Sequence, residues 1–126
     1  MHAQNIEFGK TAEAAAAEFL KAQGCKILER NYKNKFGEID IIALQNEVLC
    51  FVEVKARHAL SHGLPIEAVA LAKQRQISKT ALGYLKSKKL FDRSARFDVL
   101  GLLYENAQPQ ISWIKNAFEL NANFTV

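Results

Sequence analysis

The segment from Gly37 to Arg57, GEIDIIALQNEVLCFVEVKAR, constrains the fold most, because it reads as two apolar strands around a short polar turn. Runs of Ile, Val, Leu and Phe bounded by turn residues are typical of strands. The same segment carries Asp40, Glu53 and Lys55 among the apolar residues. Ionisable groups in a buried run are costly unless they are paired, hydrogen-bonded or bound to a metal ion. The three charges therefore indicate a functional site as well as a hairpin.

A two-residue turn at Gln45-Asn46 predicts the register of this hairpin. Asp40 then faces Phe51 across the antiparallel pair, and Asp40 and Glu53 are diagonal neighbours with Cβ atoms roughly 7 Å apart. A turn with an odd number of residues would instead put the two acids on opposite faces. With the even turn, one face carries Glu38, Asp40, Phe51, Glu53 and Lys55, and the other carries Ile39, Ile41, Val52 and Val54.

Asp40 and Glu53 have the chemistry of a magnesium site. Two carboxylates without a histidine or cysteine partner favour Mg²⁺, for which Mn²⁺ can substitute, and such an ion usually takes phosphate oxygens into its shell. This donor set suits phosphodiester hydrolysis, in which Lys55 would position the attacking water or stabilise charge in the transition state. The alternative is an ordinary cross-strand surface pair of Glu53 and Lys55, because a Glu-x-Lys triplet specifies only two residues.

The rest of the chain predicts the order helix, three strands, helix, two strands, which is an α/β or α+β class with a mixed sheet. Apolar residues at helical spacing indicate a first helix from Glu7 to Gln23, ended by Gly24. Glu13 lies at the border of its apolar stripe, from which a carboxylate can reach a neighbouring sheet. The predicted strands are Lys26 to Lys33, Glu38 to Leu44, Val48 to Arg57, Arg96 to Leu103 and Ile111 to Phe118.

After Pro65, the sequence predicts either one long helix or two broken ones from Ile66 to about Lys88. Its buried side would be formed by Val69, Leu71, Ile77, Ala81, Leu82 and Leu85. Basic residues on this helix and in the loop before the second strand are candidates for phosphate contacts, although a solvated surface would look the same. These candidates are Lys33, Lys35, Lys73 and Arg75.

The size and composition of the chain predict one cytoplasmic domain spanning residues 1–126. Two independent cores would each be marginal in 126 residues. The N-terminus lacks the apolar core of a secretory signal, and no run approaches the length of a membrane span. Cys25 and Cys50 lack the spacing of a zinc knuckle, so reduced, packed thiols are expected. A net charge of +4 is compatible with a polyanionic partner but does not require one.

Other polar and aromatic residues are weaker candidates for function. His58 and His62 could share a metal ion only on a helix, and the nearby Gly63 makes a helix there doubtful, so both are expected to be exposed or structural. Asp98 is expected to pair with a basic neighbour such as Arg96. Trp113 is expected in the core.

The order of these motifs resembles the PD-(D/E)XK nuclease superfamily, whose core is a helix, a hairpin carrying an acid and then a (D/E)xK triplet, a second helix and a further strand. The segments FGEIDIIAL, FVEVKAR, GLPIEAVALAKQRQI and RFDVLGL resemble more closely the YraN-type family of small bacterial predicted endonucleases, which is similar to archaeal Holliday junction resolvases. The resemblance runs from Gly9 to about Leu103. It implies a restriction-endonuclease-like core, a mixed central sheet flanked by helices.

The resemblance also implies a role for each matching residue. Asp40 and Glu53 match the metal ligands, Lys55 matches the catalytic lysine, and Glu13 matches the helix acid that completes the site in some members. Ile39 stands where the superfamily has its eponymous proline. The second-helix positions at which related nucleases often contact the nucleic-acid backbone are Lys73 and Arg75.

We therefore expect a Mg²⁺-dependent endonuclease acting on DNA, with branched or single-stranded regions as candidate substrates. Analogy with junction resolvases suggests a homodimer, because symmetric cutting of two strands needs two sites. Two alternatives stay open. One is a nucleic-acid-binding module that keeps the fold without cutting, and the other is a structural protein whose charges solubilise the hairpin.

Overall fold

Two helices and five strands make up a mixed α+β structure. The computed structural model describes residues 2–58 and 70–120, with side chains from Glu7 onward in the first helix. In chain order the elements are α1 (His2–Ala22), β1 (Lys26–Asn34), β2 (Gly37–Gln45), β3 (Val48–His58), α2 (Leu71–Lys88), β4 (Ala95–Tyr104) and β5 (Pro109–Phe118). This confirms the predicted order and class.

The five strands form one mixed sheet in the order β1-β2-β3-β4-β5. Neighbouring strands are antiparallel except for β3 and β4, which are parallel. Two parallel neighbours need a crossover connection, and α2 lies between them in the chain. The sheet with its two helices therefore has the restriction-endonuclease-like arrangement that the motifs predicted.

Each face of the sheet packs against one helix. On one face, the small residues of α1 let the helix approach β2, β3 and β4 closely, and the buried cluster includes Ala12, Ala16, Ile41, Val52 and Leu100. On the other face, α2 packs on a separate cluster that includes Ile77, Ala81, Ile39, Phe51 and Phe97. The central strands β2 and β3 contribute to both clusters. These two strands, which carry the charged residues, are therefore fixed from both sides.

The turn between β2 and β3 is one residue further along the chain than predicted. The last paired residues are Gln45 and Val48, so the turn residues are Asn46 and Glu47, with φ of 47° and 74°. A two-residue hairpin turn of type I′ requires positive φ at both positions, because the twist of this turn then matches the twist of the two strands. The register pairs Ile42 with Phe51 and Ile41 with Val52, where the pairing of β2 with β3 ends. The predicted pairing of Asp40 with Phe51 is therefore wrong, although Asp40 and Glu53 still lie close together.

The alternation of side chains along β2 breaks at Asp40. Ile39 packs in the cluster under α2, whereas Ile41 packs in the cluster under α1. The prediction that Ile39 and Ile41 line one face is therefore wrong. The physical reason is local: the backbone pairing of β2 with β3 ends at Ile41 and Val52, and beyond it Oδ2 of Asp40 accepts a hydrogen bond from the backbone N–H of Val54 at 2.8 Å.

Helix α2 begins at Leu71, because Ala70 has an extended backbone with ψ of 147°. Of the two predicted alternatives, the extended Ala70 excludes one continuous helix from Ile66, and positions 66–69, including Val69, lie outside the described residues. Leu71 is 53% exposed, not buried as predicted, since it lies more than one turn before the first buried residue of the helix. The predicted burial of Ile77, Ala81 and Leu85 is confirmed, and Leu82 is partly buried.

The loop between β1 and β2 packs against α2. Nδ2 of Asn34 donates a hydrogen bond to the backbone oxygen of Thr80 at 3.1 Å. Gly37 has φ of 152°, and a Cβ there would lie 2.7 Å from Cγ of Gln76, so both backbone and space favour glycine. This contact holds the start of β2 against the helix, three residues before Asp40.

Candidate active site

A cleft of about 480 Å³ opens beside α1, where β2 and β3 carry their charges. Its apolar wall includes Phe8, Gly9 and Ala12 of α1. Its polar lining consists of Glu13, Glu38, Asp40, Glu53, Lys55 and Arg57. The structure thus brings together all four residues that the sequence assigned to catalysis and metal binding.

Asp40 and Glu53 form the centre of this cleft. The carboxyl groups of Asp40 and Glu53 are close enough to share a hydrogen bond, and Asp40 also accepts a hydrogen bond from the Val54 N–H. The Glu53 side chain is only 15% exposed. Burial raises the pKa of Glu53 to about 7, and the negative charge of Asp40 adds to the increase. Burial also raises the pKa of Asp40, against the lowering effect of the Val54 hydrogen bond.

Two lysines oppose the negative charge of this carboxyl pair. Nζ of Lys73 lies 3.8 Å from Oε1 of Glu53, and its charge lowers the pKa of both Glu53 and Asp40. The charge of Lys55 also acts on Glu53 and lowers its pKa. Lys73 was predicted as a nucleic-acid contact, and the structure places it at the carboxyl pair as well.

Glu13 approaches the cleft from α1 and is half-buried. Burial raises the pKa of Glu13, and the negative charges of Asp40 and Glu38 raise it further, whereas Arg30 lowers it. Within residues 7–58 and 70–120, no group of three or more His, Cys, Asp or Glu side chains could hold a metal ion by itself. Metal binding by Asp40, Glu53 and Glu13 therefore stays a prediction.

Asn31 contacts Glu13 of the cleft, and the sequence analysis did not predict this contact. With its amide oriented so that the nitrogen faces the carboxylate, Nδ2 of Asn31 lies 2.6 Å from Oε1 and 3.2 Å from Oε2 of Glu13. Asn31 has φ of 52°, which few residues other than glycine, asparagine and aspartate adopt readily. An asparagine in the middle of a predicted strand was the only available signal.

The predicted nucleic-acid contacts lie on two elements that touch each other. Lys33 and Lys35 are exposed at the end of β1 and in the following turn, where the ammonium of Lys35 lies 5.2 Å from the centre of the Phe36 ring. Arg75 is exposed on α2, the helix on which this turn packs. The contact of these basic residues with nucleic acid stays a prediction.

Asp98 is a structural residue, as predicted. It is fully buried, and its carboxylate accepts hydrogen bonds from Nε of Arg96, Nε1 of Trp113 and the backbone N–H of Asn116, at 2.9 to 3.1 Å. Arg96 in turn donates to Oε1 of Gln45 at 2.8 Å. Trp113 is partly buried beside the α1 cluster. These bonds tie β4 to β5 and to the end of β2.

Of the two histidine candidates, only His58 lies in the described part of the chain. His58 is exposed and stacks on Phe8, with ring centroids 4.2 Å apart, which agrees with an exposed or structural role. His62 lies outside the described residues. Cys25 and Cys50 are both buried and free, as expected. Over the described part of the chain, we find no helix long and apolar enough to cross a bilayer.

Known proteins similar to this chain match it over nearly their whole length. A protein from Geotalea daltonii is 50% identical over 117 residues, covering 92% of each chain. A protein from Syntrophus aciditrophicus is 47% identical over 117 residues, covering 93% of this chain and 92% of its own. One from Dictyoglomus turgidum is 44% identical over 116 residues, covering 90% and 98%. All three are described as UPF0102 proteins.

One solved structure, that of Pyrococcus furiosus SfsA in complex with Ca²⁺, is similar to 89% of this chain and 63% of its own. Its sequence identity is 10% and its TM-score is 0.37, which is too low to support an argument about function. The model of Uncharacterised protein family UPF0102 matches residues 12–102, a range that contains the acid pair, both site lysines and Asn31. The chain therefore belongs to family UPF0102, the YraN-type family that its motifs resemble.

Proposed function

We propose that this protein is a metal-dependent endonuclease that hydrolyses phosphodiester bonds in DNA. The observation that carries the proposal is the Asp40–Glu53 carboxyl pair, hydrogen-bonded within an open cleft and faced by Lys73. Two buried acids this close repel each other when both are ionised. A divalent cation would remove that repulsion, so the pair is better explained as an ion site than as a packing feature.

The donor set fits Mg²⁺, with Mn²⁺ as a substitute. Asp40 and Glu53 offer carboxylate oxygens, and the remaining coordination positions fall to water and to substrate phosphate, as this ion prefers. When bound, such an ion supplies Lewis-acid polarisation of the phosphate and a lower pKa of the attacking water. The open, polar cleft leaves room for a phosphodiester beside the acids.

The lysines would act on the substrate. Lys55 follows Glu53 by two residues on β3 and lines the same cleft, so its ammonium can position the attacking water or stabilise the negative charge of the transition state. Lys73 is partly exposed, with 43% of its side chain accessible, and a phosphate entering the cleft would compete with Glu53 for it. Removing a single charged donor of this kind typically costs about 10²- to 10³-fold in rate.

DNA as the substrate is supported by the distribution of basic residues. Lys33, Lys35 and Arg75 are exposed on the adjoining β1–β2 turn and α2, where they could follow a phosphate backbone that enters the site. Branched or single-stranded regions are the substrates we favour, and cytoplasm is the compartment, which suits two reduced thiols. A homodimer would bring two such sites together, one for each strand of the DNA.

The test is cleavage of supercoiled plasmid, single-stranded DNA and a four-way junction, each with Mg²⁺, with Mn²⁺ and with chelator. Asp40→Asn and Lys55→Met are the active-site variants. Glu18→Gln and Lys88→Met are matched controls, because both residues are exposed and lie away from the cleft. We expect cutting that needs the ion, falls at least 10²-fold in both active-site variants and is unchanged in the controls.

Other outcomes separate the alternatives. Salt-sensitive DNA binding without cutting in any protein would replace the enzyme by a nucleic-acid-binding module. Cutting that survives in Asp40→Asn would mean a contaminating nuclease or a different site. If the protein neither binds nor cuts, the charges of the hairpin have a structural role.

A further inference from the structure

A second feature beside the cleft lies in β1, the strand next to β2. The register of β1 and β2 pairs Arg30 with Ile41 and Tyr32 with Ile39. Between these pairs, Asn31 lies across from Asp40. Asn31 has a left-handed backbone, and the alternation of β2 breaks at the facing position. The two irregularities therefore occur at one point of the sheet, and that point is the site.

The unusual backbone of Asn31 delivers its side chain to Glu13. Nδ2 of Asn31 lies within hydrogen-bonding distance of both carboxylate oxygens, at 2.6 and 3.2 Å. A strand residue in ordinary extended geometry would direct its side chain to one of the two faces of the sheet. The bond joins β1 to α1, two elements that otherwise approach each other mainly through apolar packing. The bond holds the Glu13 carboxylate in place, although burial and the charges of Asp40 and Glu38 disfavour its ionised form and so raise its pKa.

We infer that Asn31 is a positioning residue that holds the Glu13 carboxylate toward the Asp40–Glu53 pair. This inference rests on the proposed function. A hard cation held by two carboxylates keeps several waters, and a carboxylate beside the pair can accept hydrogen bonds from them. Glu13 held by Asn31 is in the same cleft as the pair, and the charge of Asp40 acts on it. Polar partners of this kind typically change metal affinity by 10- to 100-fold.

The experiment separates the Asn31 amide from its backbone. Asn31→Gly keeps a residue that adopts positive φ freely and removes only the hydrogen bond. Asn116→Gly is the matched control, because Asn116 also has positive φ, at 56°, and its recorded bond to Asp98 uses the backbone N–H, which glycine retains. Mn²⁺ affinity is measured by calorimetry for wild type, Asn31→Gly, Glu13→Gln, the double variant and the control, with thermal unfolding alongside.

We expect Asn31→Gly to weaken Mn²⁺ binding by about tenfold, with the unfolding temperature no lower than that of Asn116→Gly. Glu13→Gln should weaken it at least as much, and the double variant should match Glu13→Gln alone, since Asn31 acts through Glu13. A merely structural asparagine would leave the affinity unchanged in the folded variant.

The possible contrary results distinguish a failure of the inference from a failure of the proposed function. Unchanged affinity in Asn31→Gly, or additive losses in the double variant, would overturn the inference and leave the proposed nuclease intact. Ion binding without DNA cleavage would overturn the proposed function alone, and the same five affinities would still decide the role of Asn31. If wild type binds no divalent ion, both fail.

Discussion

At the scale of single residues, the site depends on charges that oppose one another in a partly buried place. Glu53 is protonated more readily than a free glutamate because it is buried and beside Asp40, and Lys73 and Lys55 only partly offset this. The residue types Asp, Glu and Lys were evident from the sequence, since charges in an apolar run are rare. The proximity of Lys73 and the Asn31–Glu13 bond were not, because both depend on which elements pack together.

The pH dependence of stability tests the state of Glu53 without an ion. The pKa of Glu53 is raised in the folded protein, from 4.5 to about 7, so the folded state holds a proton that the unfolded state releases between these values. Its contribution is complete below pH 4.5 and is lost as the pH rises through 7. Each pKa difference of one corresponds to about 1.4 kcal/mol, so the loss is on the order of a few kcal/mol.

Glu53→Gln should remove this dependence, because the amide stays neutral and still donates to Asp40. In the presence of a metal chelator, we expect the variant to have a higher free energy of unfolding than wild type above pH 7. At low pH, the two free energies of unfolding should approach each other. Denaturant unfolding across this pH range measures both, with Glu18→Gln as an exposed control. A variant that loses stability at high pH would contradict the assignment.

At the scale of elements, hydrophobic spacing predicts the helices and strands well, and the details at their ends poorly. β1, β2 and β3 each begin and end within one residue of the prediction, because alternating or continuous apolar runs mark them strongly. The turn was misplaced because Glu47 adopts positive φ, which no propensity favours for glutamate. The break at Asp40 arises from a tertiary hydrogen bond to Val54 and leaves no pattern in the sequence.

The strain at this turn gives a stability prediction. Glu47 has φ of 74°, and its ion pair with Arg93 is long, at 3.9 Å, with 89% of the Glu47 side chain exposed. Glu47→Gly should therefore stabilise the protein by about 1 kcal/mol, as relief of left-handed strain outweighs a weak surface pair. Thermal unfolding checks this. Glu105→Gly, at an exposed position without positive φ, should be neutral or destabilising, and a loss of stability in Glu47→Gly would refute the turn geometry.

The bonds of Asp98 predict a large loss at β4 and β5. Asp98→Ala would leave the buried ends of Arg96 and Trp113 without their partner, and breaking such a pair from one side typically costs about 3–5 kcal/mol. Trp113→Phe, which removes one neutral donor and keeps the ring, should cost about 1 kcal/mol. Equal, small effects of the two substitutions in denaturant unfolding would mean that the network contributes little.

At the scale of the whole molecule, the central strands β2, β3 and β4 are largely buried and both cysteines are buried, so the cysteines are reporters of global unfolding. Cys50 is fully buried, and burial followed by the charge of Asp98 raises the pKa of its thiol to about 11. Cys25 is also buried, and burial raises its pKa. The family match and the class of fold were predictable from the order of motifs, whereas the cleft appears only when α1 is placed beside β2 and β3.

Both thiols should therefore be inert in the folded protein. At pH 8, a thiol with the pKa of Cys50 is ionised in about one molecule in a thousand, and the reagent must also reach it. We expect labelling by an aromatic disulfide to be at least 10²-fold slower than in denaturant, at a rate that follows unfolding. Rapid labelling of either cysteine under native conditions would contradict the packing of α1 on the sheet.

The central claim is that Asp40 and Glu53 form a divalent-cation site, and ion binding tests it most directly. Calorimetric titration of Mn²⁺ should show one bound ion or a closely coupled pair per chain in wild type. It should show at least a tenfold weaker affinity in Asp40→Asn and no change in Glu18→Gln. An Asp40→Asn variant that binds Mn²⁺ as tightly as wild type would contradict the account.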